Sequence, residues 1–138
     1  MQPTDQSTQK LLGILFPILG IVLLLGAGLE GLVTYRFITL ASRAEGKVVR
    51  LNASGAHPVV QFTPAGGAAT EFSDSGYINY AVGDQVTVLY LKDTQNPSIP
   101  WTKIDTPGAL WSEEITLVGL GAAMMIVGLY NRHQHKRR

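Results

Sequence analysis

Two apolar runs, one towards each end of this chain, constrain its fold more than any other feature. The first, LLGILFPILGIVLLLGAGL, runs from Leu11 to Leu29 between Lys10 and Glu30. About 19 residues at roughly 1.5 Å each reach about 28 Å, enough to cross a hydrocarbon core. The helix is expected to continue through EGLVTYRF, giving a first transmembrane helix over 11–37 with Tyr35, Arg36 and Phe37 at the far interface. A signal peptide is the competing reading. Against it, the leader MQPTDQSTQK sets a single Lys against Asp5, and no A-x-A cleavage site follows the run. The second run, ITLVGLGAAMMIVGLY, covers Ile115 to Tyr130 and is slightly short, which predicts a helix over 109–130. Trp111, Glu113 and Glu114 then fall in the headgroup zone and Tyr130 at the other interface. A buried helix of a soluble protein is excluded, because the middle region is too small to cover such a segment on all sides. Pro17 frees a backbone carbonyl and predicts a kink.

Composition agrees with lipid. Charged residues make up 15% of the 138, against roughly 25% in soluble domains. The net charge of +1 provides no field to attract nucleic acid or acidic substrates. The absence of cysteine rules out disulfides, thiol chemistry and Cys-based zinc sites. Arg132, Lys136, Arg137 and Arg138 crowd the last eight residues, and Lys10 flanks the first span, whereas the cations of the middle region are spread thinly. By density, both termini (1–10 and the basic tail 131–138) are expected in the cytoplasm and the middle outside it, as in a multi-pass protein of a bacterial inner membrane. The tail reads as an orientation signal that also touches anionic lipid, and not as a nucleic-acid or His133/His135 metal site.

Small residues recur at small-xxx-small spacing, Ala27 with Gly31 and Gly119 with Ala123, which lets helix backbones approach in lipid. Packing of the two helices on each other and contact with a second copy or another subunit are both open.

Between the helices, residues 44–104 break into short β-prone runs: EGKVVRL, HPVVQFTP, ATEFSDS, DQVTVLYL and SIPWTKI. NASGA, PAGGA and VGD supply the turns. The expected fold class is therefore α+β: two transmembrane helices flanking a small antiparallel barrel or twisted sheet of OB-like or SH3-like size, curled so that no long edge stays open. Val48, Val60, Phe62, Phe72, Val86, Val88 and Tyr90 are the expected core, with Thr87, Leu89 and Leu91 on the other face of their strand.

Chemistry is hard to find in this module. His57 lacks a second ligand or an acidic partner and reads as a surface or capping residue. Ser73-Asp74-Ser75-Gly76 and Gly83-Asp84 read as turns. Gly66 and Gly67 open no helix, so no phosphate cradle is expected. Asn52-Ala53-Ser54 matches a glycosylation acceptor, relevant in a eukaryotic secretory route alone. Glu30 reads as an interface marker, and as a functional candidate if it lies deeper. No catalytic, metal or cofactor residues are assigned, and an enzyme is disfavoured.

In order and spacing the middle region resembles a bacterial family of domains of unknown function, the one numbered 3592. The residues that carry the resemblance are GKVV, with Gly46, Val48 and Val49; PVVQF, from Pro58 to Phe62; and VGDQVTVLY, with Gly83, Asp84, Val88 and Tyr90. NPSIPWTKI, 96–104, is similar to the family's asparagine-proline segment, although YLKDTQNP lacks an expected first proline. The resemblance implies a two-helix membrane protein with a β-module and brings no catalytic residues. Some relatives lie near toxin systems.

The expected function is binding. A non-enzymatic membrane protein would engage a protein partner, or join a membrane complex, through the outward-facing module. The alternative is an immunity protein against a membrane- or envelope-acting toxin. Tyr77, Ile78, Tyr80 and Trp101 are the candidate anchors, because loop aromatics on a rigid sheet bury much area at little rotamer cost. Packing over the end of the sheet or against the membrane interface is the plainer role for Tyr77 and Ile78.

Overall fold

The computed structural model describes residues 3–52, 57–92 and 101–136. Helix α1 spans Pro3–Leu40, and five strands follow: β1 Ser42–Asn52, β2 His57–Phe62, β3 Thr70–Ser73, β4 Gln85–Leu91 and β5 Trp101–Ile104. A single turn, α2, covers Pro107–Leu110, and α3 runs Ser112–Lys136. Ala53 to Ala56, the segment 93–100 and the last two arginines lie outside the described residues, and with them most of the glycosylation match and the asparagine-proline segment. The chain divides into two compact units, one of Met1–Gly31 with Glu113–Arg138, the other of Leu32–Ser112.

In the first unit, both helices are long and apolar enough to cross a membrane. Their contact is set by small residues. A Cβ placed on Gly20 would lie 2.8 Å from the Gly121 carbonyl oxygen and from Met125 Cγ, and one on Gly121 would lie 3.0 Å from Leu24 Cγ. Gly128 faces the ring of Pro17, and Gly13 faces Arg132. The contacts at 13, 17, 20 and 24 on α1 meet 132, 128, 125 and 121 on α3, an antiparallel seam with alternating steps of four and three. α1 continues unbroken through Pro17, whose ring fills the space left by Gly128. The same repeat carries Ala27, which is buried, and Gly31, which is half-buried. It does not carry Gly119 or Ala123. Both are exposed, and nothing lies within 4 Å of a Cβ on Gly119. Two residues along a helix are about 200° of rotation, so a pair displaced by two from Gly121 points away from the seam. Buried Glu114, one heptad before Gly121, falls on the seam side instead.

The second unit holds the sheet, all antiparallel, in the order β3-β2-β1-β4-β5. It curls into a half-barrel, and its outer strands β3 and β5 are not paired with each other, so the barrel is not closed by strand pairing. β1 directs the curl. Its first half, Ser42 to Lys47, pairs with β4, and its second half, Gly46 to Asn52, pairs with β2, with an irregularity between Val48 and Arg50. The Asp84 turn holds that irregularity: Gly83 N–H donates to the Val48 carbonyl at 2.8 Å, and Val48 N–H donates to the Asp84 carbonyl at 2.9 Å. Gly46 sits in both ladders, opposite Phe62 and Val86. A Cβ there would lie 2.7 Å from Val60 Cγ1 and from Val88 Cγ2, so its missing side chain lets β2 and β4 fold towards each other across β1.

Inside the curl are Val48, Val60, Phe62, Val86, Val88, Tyr90, Ile104 and Ala109, with Phe72 partly buried against them. Phe62 and Tyr90 stand on opposite neighbours of β1, yet their rings lie 5.5 Å apart, and Phe62 meets Phe72 edge-on at 5.7 Å. Tyr90 Oη accepts the Ala65 N–H at 2.9 Å, which docks the β2–β3 turn onto the core. Leu89 is a correction. It is 1% exposed, and Val59 is equally enclosed, so β2 and β4 bury side chains on both faces rather than one.

Candidate functional site

The segment after β3 is organised by Asp74, whose side chain is 2% exposed. Its main-chain N–H donates to the Pro58 carbonyl at 3.0 Å, extending the β2–β3 ladder by one residue. Asp74 Oδ1 accepts the Ser75 N–H at 2.8 Å, and Oδ2 accepts the N–H of Ile104, in β5, at 2.7 Å. Lys103 Nζ lies 3.3 Å from Oδ1. The carboxylate therefore joins the ends of the two outer strands where the backbone does not. It is more than the turn residue read from Ser-Asp-Ser-Gly, and its oxygens are committed to main-chain donors and a cation rather than to proton transfer.

Beyond Asp74 the loop is pressed against α2. Gly76 has φ of +136°, and a Cβ on it would strike the Gly108 carbonyl. Gly108 lacks room for a side chain because of the Tyr77 carbonyl, and Tyr77 N–H donates to the Gly108 carbonyl at 2.9 Å. Two glycines thus permit a backbone-to-backbone contact that fixes the loop. Tyr77 is presented from it at 63% exposure. Ile78 and Tyr80 are half-buried and pack on the core, so they support the sheet rather than project from it. The loop closes where Asp84 Oδ2 accepts the Ala81 N–H at 2.8 Å.

Trp101 opens β5 at 64% exposure and meets Phe37 edge-on at 6.2 Å. Of the four expected anchors, two project and two are largely packed. His57 is half-buried opposite Asn52 at the end of β1–β2, and Glu30 is exposed on α1. Arg43 with Asp105 (3.1 Å) and Arg50 with Glu71 (3.0 Å) are surface pairs that reach from β1 across β4 to the end of β5 and across β2 to β3. Among the described residues no group of three or more His, Cys, Asp or Glu could hold a metal ion. What this surface offers is apolar contact from a rigid frame.

A curated protein gives that arrangement a context. The immune protein Tsi4 of Pseudomonas aeruginosa is 39% identical over 115 residues, which cover 83% of this chain and 77% of that protein. This chain belongs to the same family. An alignment of that extent has to include most of the β-module and part of at least one apolar helix. No family model matches the chain, so the likeness to domain-of-unknown-function family 3592 stands on its motifs. No solved structure matches it either.

Proposed function

We propose that this chain is a membrane-embedded immunity protein that neutralises a protein toxin by binding it with the β-module. The observation that carries the reading is the extended similarity to an immune protein. Of the two functions expected from the sequence, immunity thereby takes precedence over a general accessory role in a membrane complex. The site is consistent with binding: a braced sheet, committed polar groups and a projecting indole at Trp101. Embedding the binder in the membrane suits a toxin that acts on the membrane or envelope, because it holds the module where such a toxin must arrive.

The test is protection. Where a toxin gene neighbours this one, cells expressing it should survive when the full chain is co-expressed, and the two proteins should co-purify in mild detergent. Trp101→Ala should lower co-purification while thermal stability is retained, since an exposed indole leaves little cavity when removed. Survival that does not depend on the chain, with no toxin bound, would refute the immunity reading.

The proposed orientation places both termini in the cytoplasm and the module outside. A reporter active only outside the cytoplasm should therefore work when inserted at Ala68–Ala69, exposed residues between β2 and β3, and fail after Arg138. The reverse pattern would invert the topology.

A further inference from the structure

We infer that the base of the module, formed by α2 and the Gly76–Tyr77 loop, rests in the headgroup layer of the phospholipid bilayer, with Tyr77 and Trp111 as its anchors. The inference builds on the membrane-spanning reading and adds a lipid contact made by the soluble-looking part.

The covalent path from the module to the second apolar run is short. α2 ends at Leu110, the residue Trp111 caps it, and α3 begins at Ser112. Ile115, at 52% exposure, already opens the apolar run three residues later, about 4.5 Å along the helix axis. The interfacial layer on each side of a hydrocarbon core is about 5–7 Å deep, so Ser112 falls inside it.

The Gly76 loop is tied to this same point. A Cβ on Gly76 would lie 3.1 Å from Ser112 Cβ, and Tyr77 is hydrogen-bonded to Gly108. A residue held against the first residue of a membrane helix shares its depth. There the chain places an exposed tyrosine, an exposed proline at 107 and a half-buried tryptophan, with no charged residue from Ser75 to Gly83. Tyr and Trp are the side chains that favour this layer, since each combines an apolar ring with a polar tip. On the other side, β1 starts at Ser42, two residues after α1 ends, and Ala41 N–H still donates to the Phe37 carbonyl at 2.8 Å. The occupant of this face is lipid, and Tyr77 is withdrawn from the candidate toxin contacts, leaving Trp101.

The experiment uses the full chain in vesicles of phosphatidylethanolamine and phosphatidylglycerol, with tryptophan as the depth probe. Tyr77→Trp is made in a Trp101→Phe, Trp111→Phe background. Native Trp111 is read separately in Trp101→Phe, so that the result does not hang on one variant. Val22→Trp, at an exposed mid-span position of α1, reports on insertion. Expected are blue-shifted emission from both base probes, stronger quenching by lipids brominated near the headgroup than by lipids brominated deep in the chain, and weak quenching by aqueous iodide. Val22→Trp should show the opposite depth preference. If Val22→Trp is quenched by deep bromines while both base probes behave as water-exposed indoles, the seating is wrong and the span is right. If Val22→Trp is also insensitive to lipid bromines, the membrane reading itself fails. Burial at the base that disappears on dilution of the protein in lipid would assign the face to a second copy and overturn the proposal.

Discussion

Replacing Asp74 by alanine is expected to unfold the β-module while leaving both apolar helices in the membrane fraction. The carboxylate accepts two main-chain N–H groups, from Ser75 and Ile104, and pairs with Lys103, all from a side chain that is 2% exposed. Alanine strands the buried Ile104 donor, and a buried donor left without an acceptor costs about 1–3 kcal/mol. With the second N–H and the ammonium group also deprived, the loss should reach about 3–5 kcal/mol, the range for breaking a buried ionic pair from one side. A module of this size has about 3–9 kcal/mol to lose at 0.05–0.15 kcal/mol per residue. Asp74→Asn keeps one acceptor oxygen and should be intermediate. Limited proteolysis and thermal unfolding in mild detergent should rank the native chain above Asp74→Asn, and that above Asp74→Ala. Equal stability of all three would mean that the outer strands are held together by packing alone.

Asp74 also marks where the sequence stops being readable. Apolar alternation is a local property, so Val48, Val60, Phe62, Val86, Val88 and Tyr90 can be picked as core from their own strands, and all are buried. Asp74 and Ile104 are thirty residues apart, and nothing in Ser-Asp-Ser-Gly indicates that a curled sheet will bring another strand's N–H to that carboxylate. Leu89 fails for a related reason: alternation tells two faces of a strand apart but not whether the second is also covered. In α3, GLGAAMMIVG scatters small residues around the helix, so Gly119/Ala123 and Gly121/Gly128 are equally good seams until α1 chooses. The anchors divide in the same way. Aromatic identity is visible for Tyr77, Tyr80 and Trp101, and a turn-rich setting for the two tyrosines, whereas the packing of Tyr80 on the core depends on how the loop descends onto α2.

The other large effect is expected at Gly46, where a motif glycine has a steric reason. Any side chain there would enter the space between Val60 and Val88, both fully buried, with first contacts at 2.7 Å to each. Valine is short and β-branched, so neither neighbour can swing aside without leaving its rotamer well or moving its strand. Alanine would ordinarily stabilise a strand relative to glycine by about 0.5–1 kcal/mol. Here that gain is outweighed by overpacking at about 1–3 kcal/mol. Gly46→Ala should therefore lower the thermal midpoint, and Gly46→Val, with two more methyl groups in the same space, should open the curl and expose the module to protease. The clash can be separated from any effect on the unfolded chain by making room for the added methyl. Val88→Ala alone leaves a cavity and destabilises, but combined with Gly46→Ala the new methyl occupies part of the vacated volume. The double variant should then be more stable than the two single losses predict, a coupling of about 0.5–3 kcal/mol between touching residues. Strict additivity would show that Gly46 serves its strand through backbone conformation, and that the closeness of Val60 and Val88 is not what bends the sheet.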